Sequence, residues 1–231
     1  MTAITVERKF TAPADRIEQA LRLLGHFCLP DPKYPVGVIK SVYYDTRTLD
    51  AYEEKAHGQF LKTKVRARWY AEKKPAQDEM PLFIEVKHRL GGGRRKLRRM
   101  LQVSRSWMES VPLDDPALRT LLYDHTRDLG EPLPADLFPV ICIAYSRHRF
   151  VCSFTGARVC LDFDIRAERV NPGILSCHAC PSLDSVVFEI KDVGQVDVPW
   201  LDALYGAGFR SRSFSKYGEC IRRTLEGGAP L

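Results

Sequence analysis

Three runs decide how this chain is read: KTKVRARWY at 62–70, LFIEVKHRL at 82–90 and RRKLRRMLQV at 94–103. Each alternates charged residues with mostly apolar or small ones. In an extended strand successive side chains point to opposite faces, so Lys64, Arg66 and Arg68 project together while Val65, Ala67 and Trp69 project the other way. The second run puts Glu85, Lys87 and Arg89 on one face, and in the third Lys96 and Arg98 share one. From Lys62 to Arg99 the chain carries thirteen lysines and arginines against four acidic residues, a net charge of +9, whereas the whole chain is only +6. Three adjacent strands of this kind make a cationic wall with an apolar back. Such a wall repels itself until an anion occupies it, and a polyanion is the economical occupant. The carboxylate of Glu85, embedded among these cations, could hold a metal ion beside a phosphate.

The remaining composition is that of an ordinary globular protein: 231 residues, 45% hydrophobic and 28% charged, read as one domain over 1–231. No stretch approaches the roughly 20 apolar residues of a membrane span, and MTAITVERKF lacks a signal-peptide core. These features place the chain in the cytoplasm. Seven cysteines scattered among apolar residues, as at Cys142, Cys152 and Cys160, suit reduced, buried thiols.

Around the basic runs, Thr5, Glu7 and Lys9 alternate with Ile4, Val6 and Arg8 in a first strand. Pro13 opens a helix with Ile17, Leu21 and Leu24 at helical spacing. The strand VIKSVYYDT at 38–46 ends in Tyr44-Asp45-Thr46, which caps a short helix over Leu49 to Lys55. Gly91-Gly92-Gly93 is a hairpin turn between the second and third basic runs. Helical spacing spans Ser104 to about Asp128. Strands follow over Val140 to Cys152 and Arg158 to Ala167, joined by a turn at Phe154-Thr155-Gly156, and then over Val186 to Lys191. A short helix starts at Trp200, and a last one near Ser215 has Lys216 in its first turn.

This tally gives an α+β chain of about eight mostly antiparallel strands and four or five helices, with no βαβ rhythm and no internal repeat. Seven of the eight strands carry charged residues at spacing two on one face. A sandwich turns its polar faces to solvent, whereas a closed barrel with outer helices can turn them inward. Alternation does not distinguish the two.

Taken in order, Glu7-Arg8-Lys9, Tyr44-Asp45, Lys64-Val65-Arg66-Ala67-Arg68, Glu85-Val86-Lys87, Lys96-Leu97-Arg98, Tyr145-Ser146-Arg147, Arg158 to Asp162, Glu189-Ile190-Lys191 and Phe214-Ser215-Lys216-Tyr217 resemble the VTC domain. This is the polyphosphate polymerase domain of the vacuolar transporter chaperone complex, within the triphosphate tunnel metalloenzyme superfamily. The resemblance runs from Thr5 to about Ile221 and implies an eight-stranded antiparallel β-barrel whose bore is lined by lysine and arginine, with flanking helices. It also implies transfer of the γ-phosphoryl group of ATP to a growing polyphosphate chain, a reaction governed by positioning and charge neutralisation. By match to the motifs, Arg66, Arg68, Lys87, Lys96, Arg147 and Arg158 grip phosphates, Lys9, Lys191 and Lys216 complete the ring, and Lys64, Arg98 and Ser215 add phosphate contacts. Glu189 is the first metal carboxylate, with Glu7 and Glu85 as partners, for Mn²⁺ or Mg²⁺.

Related CYTH triphosphatases carry Glu-x-Glu-x-Lys on the first strand, whereas this chain has Thr5-Val6-Glu7-Arg8-Lys9. The missing carboxylate favours polymerisation or phosphate binding over hydrolysis by a tripolyphosphatase or nucleoside triphosphatase. A non-catalytic polyphosphate binder is a third reading. No SPX-type sensor or membrane span is read in this sequence, and coupling synthesis to translocation is expected to require a separate membrane protein. Nucleic acid is not an expected partner, because the basic strands lack an aromatic stacking platform apart from Trp69 and Tyr70. Asp162 and Asp164 are expected to pair with Arg158 across the bore, with a place in the metal shell as the alternative, His88 and His148 to lie off the basic faces, and Lys73 and Lys74 to be solvated. Cys177-His178-Ala179-Cys180 has no second cysteine pair to complete a zinc site.

Overall fold

A computed structural model describes residues 5–56, 61–71, 77–90, 93–127, 133–176, 180–193 and 198–227. The chain forms an α+β fold around a large sheet in which the registered pairs are antiparallel. The eight long strands are β1 (Thr5–Ala12), β3 (Val36–Asp45), β4 (Leu61–Ala71), β5 (Glu79–Leu90), β6 (Gly93–Ser104), β7 (Phe138–Cys152), β8 (Arg158–Val170) and β9 (Val186–Val193). Two short ones, β2 (Cys28–Pro30) and β10 (Arg210–Ser211), are additional to the sequence reading. Hydrogen-bonded order runs β10-β1-β9-β8-β7-β3-β4-β5-β6, with β2 beside β7, and the described pairings do not close this path into a barrel.

Two compact units make up the chain: Met1–Val38, Tyr145–Ile165 and Leu183–Ser215 form the first, and Ile39–Ala144, Arg166–Ser182 and Lys216–Leu231 the second. Strands β3, β7 and β8 each contribute residues to both.

In the first unit the apolar face of β1, β8 and β9, carrying Phe10, Val159, Leu161, Phe188 and Ile190, is buried against α1 (Ile17–Phe27) and α5 (Leu201–Gly206). Ala20 and Leu24 of α1 and Trp200 and Leu204 at α5 complete this core. Each fully buried aliphatic or aromatic side chain of this kind contributes about 1.5–3 kcal/mol.

In the second unit Val65, Ala67 and Trp69 of β4 and Leu82, Ile84 and Val86 of β5 face α3 (Arg105–Ser110) and α4 (Pro116–Thr126), whose Met108, Leu118 and Leu122 are also buried. The helical spacing expected from Ser104 to about Asp128 is divided between these two helices. Pro112 supplies no N–H and follows the end of α3, and Pro116 occupies the first turn of α4, where its missing N–H costs nothing. Side chains close the helix starts: Ser104 Oγ accepts from the Trp107 N–H at 3.1 Å and Asp115 from the Ala117 N–H at 2.8 Å. Arg169 of β8 donates to the carbonyls of Met108 and Val111 at the end of α3.

Asp45, at the end of β3, is fully buried and caps α2 (Asp50–Ala56) from a distance. Its carboxylate accepts from the N–H groups of Thr46, Ala51 and Tyr52 at 2.8–3.1 Å and from the Tyr217 hydroxyl of α6 (Lys216–Leu225) at 2.5 Å. Tyr44 points into the core, where its hydroxyl donates to the Leu118 carbonyl. The Tyr44-Asp45 pair therefore has the structural role that its capping sequence suggests.

Candidate functional site

The register of β4, β5 and β6 sets the three basic runs side by side. Lys64 lies opposite Lys87, and Lys87 opposite Lys96; one row along, Arg66 lies opposite Glu85, and Glu85 opposite Arg98. Because neighbouring residues alternate between faces, these rows share one face and the apolar core occupies the other. Arg68 lies on the same face, buried, with its Nε donating to Ser41 Oγ at 3.1 Å.

Glu85 is the buried centre of this face, 2% exposed. Its Oε2 accepts from Arg66 Nε at 2.8 Å and Nη2 at 2.5 Å, while Oε1 lies 2.6 Å from Lys96 Nζ and 3.5 Å from Arg98 Nε. Burial pushes the carboxyl up, but Arg66, Arg68 and the Lys96 and Arg66 hydrogen bonds outweigh it and hold Glu85 far below the usual carboxylate range. Lys87 responds in the opposite sense: desolvation, then Arg66 and Arg68, push its ammonium down to about 6 although Glu85 opposes them. The side chain is exposed, so water screens part of that repulsion. Arg98 is stacked with its guanidinium carbon 3.6 Å from the Phe83 ring centre.

Strand β3 adds residues that the sequence reading did not single out. Ser41 bonds Arg68, and the Tyr43 hydroxyl accepts from Arg66 Nη1 at 3.2 Å. Burial raises the Tyr43 hydroxyl, but Arg66, Arg68 and Lys216 together bring it below the ordinary tyrosine value. Lys216, which contributes to that influence, is itself buried. The available signal was period two: Ser41, Tyr43 and Asp45 share a face, and Tyr44 does not.

In the first unit a different charged face is built on β1, β9 and β8. Glu7 is opposite Lys191, which is opposite Arg158; Lys9 is opposite Glu189, which is opposite Cys160. Lys9 Nζ is shared by Glu7 at 3.3 Å and Glu189 at 3.2 Å and donates to the Phe214 carbonyl at 3.2 Å. Glu189, also buried, accepts from Arg147 Nη2 at 3.1 Å and lies 3.7 Å from Lys191. Burial and the neighbouring Glu189 raise the Glu7 carboxyl, but Lys9 and Lys191 bring it below its usual range. Ser215, next in sequence to Phe214, is buried.

Asp162 pairs with Arg147 instead of Arg158, through two contacts of 2.5 Å. Along one extended strand, four residues separate Arg158 from Asp162, about 13 Å, so the expected pair could not form within β8. Arg147 on the adjacent strand is within reach. The second aspartate, Asp164, is exposed and accepts from Ser146 Oγ at 3.4 Å. His88 lies off the basic face, opposite Thr63, whose hydroxyl is 3.0 Å from its Nδ1.

The predicted residues are thus collected in two groups. Lys64, Arg66, Arg68, Glu85, Lys87, Lys96, Arg98 and Lys216 belong to the second unit, and Glu7, Lys9, Arg147, Arg158, Glu189, Lys191 and Ser215 to the first. Among the described residues, no group of three or more His, Cys, Asp or Glu side chains is placed to hold a metal ion. Cys28, Cys142, Cys152, Cys160 and Cys220 are free and buried, and Cys180 is exposed. Cys177, His178 and Ala179, Lys73 and Lys74, and Gly91 and Gly92 lie outside the described residues.

Among solved structures, a candidate adenylate cyclase from Bacillus halodurans matches 92% of this chain and 94% of its own, with a TM-score of 0.52 and 15% identity. At that identity the likeness concerns the fold. A candidate adenylate cyclase from Vibrio parahaemolyticus aligns over 96% of this chain and 99% of its own, at a TM-score of 0.47 and 12% identity. No curated protein matches the chain. The VTC domain model matches residues 5–225, a span that takes in both charged faces and the strands beneath them, so the chain belongs to the VTC domain family.

Proposed function

We propose that this VTC domain is a metal-dependent polyphosphate polymerase, transferring the γ-phosphoryl group of ATP to a growing polyphosphate chain in a basic tunnel formed by a closed barrel. The observation that carries this reading is the pair of aligned rows across β4, β5 and β6, Lys64–Lys87–Lys96 and Arg66–Glu85–Arg98. Positive charge repeats every second residue, about 6.8 Å, along β4 and β6, which suits a substrate whose negative charge also repeats. A single phosphate would neutralise only part of the excess positive charge.

In this reading Arg66, Arg68 and Arg98 hold phosphate oxygens with planar guanidinium forks, and Lys64, Lys87 and Lys96 neutralise charge between them. Lys9, Arg147, Arg158, Lys191, Ser215 and Lys216 serve the reacting phosphates. Anchored donors of this sort stabilise the charge spread over a transferring phosphoryl group without having to reorganise.

Glu7 and Glu189 fit a divalent ion. They converge on one cationic position, taken by the Lys9 ammonium, and a Mg²⁺-like ion needs only one or two carboxylates when phosphate and water complete its shell. When bound, Mn²⁺ or Mg²⁺ would neutralise charge on the transferring phosphate. Glu85 fits a different task, because both its oxygens are engaged by Arg66, Lys96 and Arg98. It orients cations. The threonine at position 5, where the related triphosphatases carry a glutamate, supports transfer over hydrolysis.

No described helix is long and apolar enough to cross a membrane. We assign the reaction to the cytoplasm and translocation of the product to a separate membrane protein. The test is to incubate the purified chain with ATP and Mn²⁺ or Mg²⁺, resolve products on a gel stained for polyphosphate and assay free phosphate. A ladder of long chains is the expected result. Free phosphate alone would move the protein to the triphosphatases, and neither product would refute an autonomous polymerase.

A further inference from the structure

Three polar groups of Arg66 are fixed by the protein. Its Nε and Nη2 donate to Glu85, and its Nη1 donates to the hydroxyl of Tyr43 at 3.2 Å. The Tyr43 oxygen therefore acts as an acceptor toward Arg66 and retains its own proton as a donor. Tyr43 is buried, and no acceptor for that proton is found among the described residues. The ring has little freedom to turn away: it stacks on Tyr217 with centroids 5.1 Å apart, and Tyr217 is tied through its hydroxyl to the buried Asp45. A buried hydroxyl proton costs free energy until an acceptor meets it. The cations that act on this hydroxyl are Arg66, Arg68 and Lys216, which attract an anion and supply no acceptor of their own.

From this geometry we infer that Tyr43 is a phosphate-binding residue, donating its hydroxyl proton to a phosphoryl oxygen held by Arg66 while it fixes the plane of that guanidinium. The inference rests on the reading of the basic face as a phosphate site and adds a neutral donor to it. Donation is reinforced because the neighbouring cations make the phenol more acidic than usual. The stack with Tyr217 also links this hydroxyl to α6, whose first residue is Lys216. An oxygen bound by Arg66 thus meets a donor preset by packing.

The experiment is calorimetric titration of tripolyphosphate, without metal or nucleotide, into the wild-type chain and the Tyr43→Phe and Arg66→Ala variants. Tyr43→Phe keeps the ring and its stack and removes only the hydroxyl. Its dissociation constant should rise about tenfold, as expected for a lost hydrogen bond to a charged group. The salt dependence of binding should be unchanged, because no charge is removed, whereas Arg66→Ala should flatten it. Adding tripolyphosphate to the wild type should also perturb a tyrosine band in the ultraviolet difference spectrum, and Tyr43→Phe should lack that band. Wild-type affinity in Tyr43→Phe, with binding weakened in Arg66→Ala, would overturn this inference alone. Failure of the wild type to bind tripolyphosphate would overturn the phosphate reading of the face and the inference with it.

Discussion

Replacing Glu85 with glutamine tests whether the second unit is organised by charge. The substitution preserves shape and removes the counter-charge from a 2%-exposed position. Its partners are unequal: the Arg66 side chain is 11% exposed, whereas Arg98 and Lys96 are 39% and 46% exposed. Solvated partners contribute little, so the cost falls on Arg66, a buried guanidinium left without its anion. Removing one partner of a buried pair costs about 3–5 kcal/mol, and one dominant partner puts Glu85→Gln near the lower limit, about 3 kcal/mol. For a chain of this size that corresponds to a fall in Tm of about 6–12 °C. The assay is urea denaturation at low salt, with and without tripolyphosphate. A polyanion supplies the missing negative charge, so the gap between variant and wild type should narrow when it is present. Stability within 1 kcal/mol of wild type, or a deficit that tripolyphosphate leaves untouched, would refute the account of Glu85 as the organising anion.

Other consequences are open to measurement. Lys87 is pushed down to about 6 from an ordinary value of about 10.4 although its side chain is exposed, so in the free protein it should hold its proton less firmly than a solvated lysine. Polyanion binding should restore its charge by taking up as much as about one proton near pH 8, so affinity should fall as pH rises through that window. Calorimetry in buffers of different ionisation enthalpy measures the uptake, and the same uptake in Lys87→Met would exclude Lys87 as its source. Glu189→Gln should abolish metal-dependent turnover while retaining tripolyphosphate binding; an unchanged rate would remove Glu189 from the metal site. Asp45→Ala should cost about 2 kcal/mol by leaving the Ala51 and Tyr52 N–H groups uncapped. Amide hydrogen exchange over 46–52 should quicken, and unchanged protection there would contradict the capping role.

How much of this was legible depended on whether a feature repeats. The alternation in β4, β5 and β6 is long enough to fix both faces, and the structure puts Lys64, Lys87 and Lys96 in one row as that pattern requires. Strands of three and two residues, β2 and β10, offer no periodicity to read. The division of α3 from α4 was marked by Pro112 and Pro116, but the apolar spacing of Leu118, Leu121 and Leu122 obscured it. Asp162 was expected to meet Arg158, but its partner Arg147 comes from the neighbouring strand, and sequence alone does not display which strands lie side by side. Tyr43 was missed for a related reason. The motif draws attention to Tyr44-Asp45, yet parity groups Tyr43 with Ser41 and separates it from Tyr44.

The contrast between the two charged faces gives the basic one its chemical meaning. In the first unit Glu7, Lys9, Glu189, Arg147 and Asp162 form a chain in which successive contacts join opposite charges. That arrangement is nearly self-neutralised, and a cation entering it has to compete with Lys9 for Glu7 and Glu189. On the second unit's face Lys64, Arg66, Arg68, Lys87, Lys96 and Arg98 gather around the carboxylate of Glu85. Folding accommodates the excess by local means: Glu85 engages Arg66, Phe83 lies beneath Arg98, and Lys87 is driven toward its neutral form. None of these devices supplies more than one full negative charge, so the face remains cationic. A surface selected only for stability would place apolar or alternating charged residues there, since an apolar replacement of a buried ion pair is often neutral or stabilising. On the proposed reading the excess is retained for an anion that occupies the face, and its extent across three strands suits one carrying several charges.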